Sequence, residues 1–227
     1  MLITIENVLA SAELATVREL LEHSSWASGA VTAGAQAAQA KNNQQLPEDA
    51  QQLTMLRHMV MSALSRNATF FSAALPLRIL PPLFNRYAGE TNHYGFHTDS
   101  AMHPVPGGNG YIRADVSATL FLSEPEEYDG GILTIADTFG HHGIKLKAGS
   151  MVVYPASSIH QVSPVTRGQR LGCFMFMQSM VRDIEQRRLL FDMDISLMQL
   201  RQSVGETAAV VSLTGTYHNL LRRWAES

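Results

Sequence analysis

The chain has 227 residues, 45% of them hydrophobic and 16% charged, which suits a buried core and excludes compositional disorder. Its net charge of −3 offers no electrostatic footprint for nucleic acid or an anionic membrane surface. A single cysteine, Cys173, excludes an internal disulfide and any multi-cysteine metal site.

The opening Met1-Leu-Ile-Thr-Ile-Glu6 lacks the basic and long apolar regions of a signal peptide. No stretch reaches the apolar length of a membrane span, so the expectation is a cytoplasmic chain with no membrane partner. Ser11 starts a helix predicted over 11–23, with Leu14, Val17, Leu20 and Leu21 at helical spacing. The Ala-, Gln- and Asn-rich run from Gly29 to Pro47 reads as strand or loop. Residues 49–66 read as a helix with Leu53, Leu56, Val60 and Leu64 on one face.

From residue 77 the pattern changes to short strand-like runs: 77–80, 83–87, 94–99, 115–122, 132–135, 150–154, 158–163 and 170–180. Turn signals separate them at Pro81-Pro82, Pro106-Gly-Gly108, Asp129-Gly-Gly131, Ala148-Gly149 and Arg167-Gly168. About eight strands at this spacing predict a sandwich or jelly roll. After Arg182 two helical stripes follow, one through Leu189, Leu190, Met193, Leu197 and Leu200, the other through Val210, Tyr217, Leu220, Leu221 and Trp224. With Gly205 between them they predict a helical hairpin, whose apolar stripes could also build a homo-oligomer face.

The chemistry gathers in the β-region. His97 and Asp99 stand two residues apart, so on an extended strand both project from one face and could grip one ion. With nine His and eight Asp in the chain, about 0.3 such pairs arise by chance, so the pair alone is weak. A third ligand must come from elsewhere. His23, His58 and His218 fall on helices, and His141 and His142 fall in a turn-like segment read as exposed. His160 follows the strand Val152 to Ile159 and opens the next one. Two His and one carboxylate leave coordination positions open, the ligand set of non-haem Fe(II) oxygenases. Arg170 heads an apolar strand, where a cation is costly unless paired, and its planar guanidinium suits a carboxylate. It could equally be an ordinary hairpin-end residue, as Arg167 is read to be. Cys173, within that strand, reads as a buried core thiol.

The ordered series His97-Thr-Asp99, Asp129-Gly-Gly131, Tyr154-Pro155, His160 and Arg170 resembles the Fe(II)- and 2-oxoglutarate-dependent dioxygenases of the prolyl/lysyl-hydroxylase-like branch. With Lys41-Asn-Asn-Gln-Gln45, Pro82-Leu-Phe-Asn-Arg-Tyr87 and Tyr94-Gly-Phe-His-Thr-Asp99, the whole chain resembles the bacterial PKHD-type hydroxylases, C-terminal helices included. The resemblance implies an α+β, mainly β fold. Residues 1–76 would hold N-terminal flanking helices and strands, 77–181 a double-stranded β-helix (jelly-roll) core, and 182–227 a C-terminal helical subdomain. It implies that His97, Asp99 and His160 ligate Fe(II), are the catalytic set, and that Arg170 binds the far carboxylate of 2-oxoglutarate. Gly172 departs from the Ser or Thr that many superfamily members carry two residues after this Arg. A second contact is then needed, for which Tyr87 is the candidate, a buried core Tyr being its other reading.

The implied reaction consumes 2-oxoglutarate and O₂, releases succinate and CO₂, and hydroxylates an unactivated C–H bond, with L-ascorbate as an accompanying reductant. The implied substrate is a small molecule or a peptidyl side chain, with no nucleic acid, and bacterial relatives suggest a link to iron uptake. The segments Met102–Gly110, with His103, and Val31–Gln45, with Lys41, Asn42 and Asn43, are candidate substrate loops; solvated loops would read the same. The competing readings are an iron- or oxoacid-binding sensor without turnover and a cupin-type metal enzyme that uses no oxoacid. A nucleic-acid demethylase is disfavoured by charge, and a hydrolase using Ser100 or Ser158 by the absence of a nucleophile-elbow motif.

Overall fold

Apolar alternation along extended runs builds two antiparallel sheets in the computed structural model, which describes residues 1–32, 35–105 and 107–226, with the backbone alone at 31, 32 and 35–37. The larger sheet runs in the order Ile3–Ile5, Met151–Pro155, Val116–Phe121, Val165–Ser179, Leu83–Ala88, Gln44–Gln45, Ala27–Ser28. Pro76–Ile79 and Tyr128–Gly130 also pair with the long strand Val165–Ser179. The smaller sheet runs Gly140–Ile144, Leu133–Asp137, Ile159–Val162, His93–His97, Lys41–Asn42. A separate hairpin joins Met102–Pro104 to Tyr111–Arg113. The architecture is α+β and mainly β.

Each face of the larger sheet has its own core. Helices Ser11–Glu22 and Leu53–Ser65 bring Val17, Leu21, Leu56, Val60 and Leu64 against Phe84, Leu120, Cys173 and Met175. Between the sheets, Tyr87, Phe121, Leu133, Ile135, Val152, Tyr154 and Val162 form a second cluster. Strand period explains the division. In Val165–Ser179, Leu171, Cys173, Met175 and Met177 enter the helix-side core, while Arg170, Phe174 and Phe176 line a cavity on the other face. The C-terminal helices Ile184–Val204 and Ala208–Trp224, capped by Asp183 and Thr207, close a third cluster of Leu75, Val181, Leu190, Leu197 and Tyr217. Among the described residues, no helix is long and apolar enough to cross a membrane.

Several local expectations are corrected. Within Gly29–Pro47 a short helix, Ala35–Ala40, precedes the two-residue strands Lys41–Asn42 and Gln44–Gln45; Ala and Gln are strong helix formers. Helix Ala68–Ala74 was not expected: Asn67 caps it, its side chain accepting from Phe70 N, and Leu75 ends it at φ 41°. The helix expected over 49–66 begins only at Leu53. The turn expected at Arg167-Gly168 lies within one strand, where Gly168 takes φ +71°, and the residues between that strand and the one before it are Ser163 and Pro164. Arg167 pairs with Asp129 on the neighbouring strand. His141 and His142 are exposed as expected, but lie on strand Gly140–Ile144. Pro106, the first residue of one turn signal, and residues 33 and 34 of one candidate substrate loop lie outside the described residues.

Candidate metal and oxoacid site

His97 ends strand His93–His97, and His160 sits directly opposite it in register on Ile159–Val162. The strand expected to reach Asp99 stops at His97, yet Asp99 still turns inward. The ligand atoms of His97, Asp99 and His160 lie within 4.8 Å of one another. His160 Nε2 is 3.7 Å and His97 Nε2 4.0 Å from Asp99 Oδ1.

The surroundings orient all three. His97 Nδ1 is 2.8 Å from Gly95 O, and His160 Nδ1 is 3.0 Å from Ser158 O. Each contact suits Nδ1–H donating to a carbonyl, which leaves the Nε2 lone pair facing the shared centre. Ser117 Oγ donates to Asp99 Oδ2 at 2.6 Å and leaves Oδ1 inward. Tyr94 stacks on the His97 ring at 3.5 Å, and Tyr154 meets His160 edge-on at 5.2 Å. Burial, then the neighbouring His160, pushes the His97 pKa down to about 3, so at neutral pH it is already the unprotonated form a metal requires. Two imidazole nitrogens and one carboxylate oxygen, converging and buried, fit Fe(II) with positions to spare.

The same cavity, about 500 Å³, contains Arg170. Arg170 is 1% exposed, and its Nε, Nη1 and Nη2 have no hydrogen-bond partner among the described residues. Its guanidinium lies 5.3 Å from the Tyr87 ring centre and 4.9 Å from that of Phe121. A buried cation without hydrogen bonds costs several kcal/mol, on the order of the penalty for one desolvated ion, and so calls for an anionic ligand. Asn85 Oδ1 and the Tyr128 hydroxyl are likewise buried with no hydrogen-bond partner among the described residues. Asn85 Nδ2 donates to the Tyr87 hydroxyl at 3.4 Å. Burial pushes the Tyr87 and Tyr128 phenols up, and Arg170 opposes this in both, so both remain neutral donors.

Two glycine positions explain the local sequence. Gly131 has φ +61°, and a Cβ there would come within 2.8 Å of Tyr128 Cε2 and 3.0 Å of Arg170 Cδ. A Cβ on Gly172 would sit 2.9 Å from Asn85 Oδ1 and 3.3 Å from Arg170 Nη1. Asn85, in register opposite Gly172, therefore occupies the place from which a Ser or Thr at 172 would act.

The structure brings His97, Asp99, His160, Arg170 and Tyr87 to one cavity, together with Lys41, Asn43 and His103 from the two candidate substrate loops. His23, His58, His141, His142 and His218 do not line it. Ser117, Asn85 and Tyr128 escaped the sequence reading. Asn85 had a signal, since it precedes Tyr87 by two in a strand and shares its face. Ser117 had none, because its role depends on a loop eighteen residues upstream.

Residues 82–178 match the 2OG-Fe(II) oxygenase superfamily, and residues 185–226 match the PKHD-type hydroxylase C-terminal domain. A PKHD-type hydroxylase of Nitrosomonas europaea is 67% identical over 227 residues, covering 100% of both chains. One from Azoarcus sp. strain BH72 is 69% identical over 228 residues, again covering 100% of both. Among solved structures, a prolyl hydroxylase from Trichoplax adhaerens, in complex with a hypoxia inducible factor peptide fragment, superimposes with a TM-score of 0.54 at 16% identity. The match covers 83% of this chain and 86% of that one. A Pseudomonas putida prolyl-4-hydroxylase gives 0.51 at 20% identity, covering 78% and 92%. At such identities the likeness is one of fold.

Proposed function

The chain belongs to the PKHD-type hydroxylases, 2-oxoglutarate-dependent enzymes of the 2OG-Fe(II) oxygenase superfamily, and from that premise we propose that His97, Asp99 and His160 hold Fe(II) while Arg170 holds 2-oxoglutarate. The reaction is hydroxylation of an unactivated C–H bond, with succinate and CO₂ released. L-Ascorbate belongs to the same reading, as the reductant that keeps the iron ferrous. The two facing sheets are read as a jelly roll. One observation carries the proposal: a buried guanidinium with no hydrogen-bond partner among the described residues shares a cavity with three convergent ligand atoms.

When bound, the iron and 2-oxoglutarate supply the dioxygen activation and oxidative decarboxylation. The chain's own residues bind, orient and exclude water. His97 and His160 offer neutral nitrogens fixed by the Gly95 and Ser158 carbonyls, and Asp99 offers one anionic oxygen while Ser117 holds the other. Arg170 takes the distal carboxylate in a charge-assisted contact, with the Tyr87 hydroxyl and Asn85 beside it. Phe121, with Leu133 and Val162 in the same cluster, keeps that region apolar, which strengthens the Arg170–carboxylate attraction.

Anaerobic titration with Fe(II) and then 2-oxoglutarate tests this reading. A weak visible charge-transfer band that needs both is expected, followed by O₂-dependent succinate formation. Iron binding without a band would remove Arg170 from its role and favour a cupin-like enzyme. A band without succinate, whatever the substrate supplied, would favour a sensor.

A further inference from the structure

The end of the cavity away from Arg170 carries a polar atom that neither iron nor 2-oxoglutarate uses in the reading above. His103 lies on the hairpin strand Met102–Pro104 and lines the cavity. Its ring stacks on Phe176 at 4.5 Å, with 15° between the planes. His103 Nε2 is buried with no hydrogen-bond partner among the described residues. A buried polar atom left without a partner is costly, so this one calls for a ligand.

Strand register fixes where that atom stands. Phe176, under the His103 ring, is opposite Ser117, whose hydroxyl holds Asp99. His103 therefore flanks the metal triad on its Asp99 side. Arg170 is six residues earlier on the same strand face, about 20 Å back at roughly 3.3 Å per residue. Apolar side chains wall this end. Phe174 meets Phe176 edge-on at 5.9 Å, Leu83 stands opposite Phe174 in register, and Leu80 N donates to Phe176 O. All four line the cavity, and Phe174 and Phe176 are only half-buried. Burial lowers the His103 pKa, with Asp99 and a hydrogen bond with the Ser100 backbone opposing it, so the ring is neutral at pH 7. Because Nε2 has no partner, the bond with Ser100 falls to Nδ1. A bond that favours the protonated ring is one in which Nδ1–H donates, which leaves Nε2 a lone pair.

We propose that His103 selects the substrate: its Nε2 accepts a hydrogen bond from a substrate hydroxyl or N–H group, while the apolar part of that molecule lies along Phe174 and Leu80. The proposal rests on the iron and 2-oxoglutarate reading above, and its test separates the two. The probes are 3-phenylpropan-1-ol and 1-fluoro-3-phenylpropane, alike in shape, of which only the alcohol donates. They are added anaerobically to protein loaded with Fe(II) and saturating 2-oxoglutarate, and binding is followed by ligand-observed NMR titration.

The alcohol is expected to bind at least about fivefold more tightly than the fluoride, the scale of leaving one buried acceptor unpaired. His103→Phe retains a ring to stack on Phe176 and should erase the preference. His103→Gln retains a polar group near the place of Nε2 and should keep it, with the 2-oxoglutarate band unchanged in both. Equal binding of the two probes to the parent protein, or none, overturns the proposal. So does a preference that survives His103→Phe, or a band lost in that variant. If the parent protein forms no band at all, the site reading fails first and this proposal falls with it.

Discussion

A single hydroxyl decides which oxygen Asp99 can offer. Ser117 Oγ holds Oδ2 at 2.6 Å, so Ser117→Ala should weaken Fe(II) binding about 10- to 100-fold, the usual scale for a residue that orients a metal ligand. Competition against a chromophoric chelator measures it, and an unchanged affinity would mean that Asp99 is oriented without Ser117. Arg170 makes the opposite kind of prediction. Because its guanidinium is buried with no hydrogen bonds among the described residues, Arg170→Met should raise the melting temperature of the metal-free protein while, on the proposed role, abolishing any stabilisation of the Fe(II)-loaded one by 2-oxoglutarate. A variant that melts lower than the parent without ligands would mean that Arg170 is a structural cation. His97 gives the pH dependence. Its folded pKa, about 3, lies below the ordinary imidazole value, so the unfolded state takes up a proton that the folded state refuses. Stability from this group is whole above pH 6.5 and falls as pH drops toward 3, by about 2 kcal/mol at pH 5. Urea midpoints of the metal-free protein at pH 7.5 and 5.0 measure the slope, which should be shallower in His97→Gln.

At the scale of elements, the segment Tyr128–Gly131 matters more than its length suggests. Tyr128–Gly130 pairs with the strand that carries Arg170, and Gly131 then takes φ +61° so that the chain can pass between Tyr128, Val165 and Arg170. Gly131→Ala should therefore lose about 1–2 kcal/mol from the left-handed backbone alone, and more from the close approach of its Cβ to Tyr128. It should also weaken 2-oxoglutarate binding by displacing Arg170. Chemical denaturation and the charge-transfer titration read the two effects, and a stable variant with normal 2-oxoglutarate affinity would contradict the crowding. The sequence reads Asp129-Gly-Gly131 as a turn, whereas Asp129 and Gly130 belong to a strand with a register shift between them; the service to Arg170 was hidden because Arg170 is thirty-nine residues beyond Gly131.

At the scale of the molecule, the C-terminal helices are tied to the β-domain by packing and polar contacts. Leu190, Leu197 and Tyr217 meet Leu75 and Val181 in one buried cluster. Arg113, at the base of the hairpin that carries His103, bridges Asp115 and Glu226 near the chain's end. Leu197→Ala should cost about 2–5 kcal/mol as a core truncation, lowering the denaturation midpoint of the whole chain in one transition. Two separate transitions would mean that the helices fold as an independent unit. Local order was legible in the residues themselves. Strand alternation announces most of the β-region, helical stripes announce the C-terminal pair, and residue type and spacing single out His97, Asp99, His160 and Arg170 as candidates, whose proposed roles come from the family resemblance. The exceptions were governed by distant partners. The strand through Arg167-Gly168 stays paired, with Gly168 at φ +71°, because Tyr128 and Asp129 lie opposite it, and helix Ala68–Ala74 is signalled locally only by its Asn67 cap. Which polar residues serve the site was decided by the tertiary structure alone. Ser117, Asn85 and Tyr128 acquire their surroundings only when strands far apart in the chain come into register.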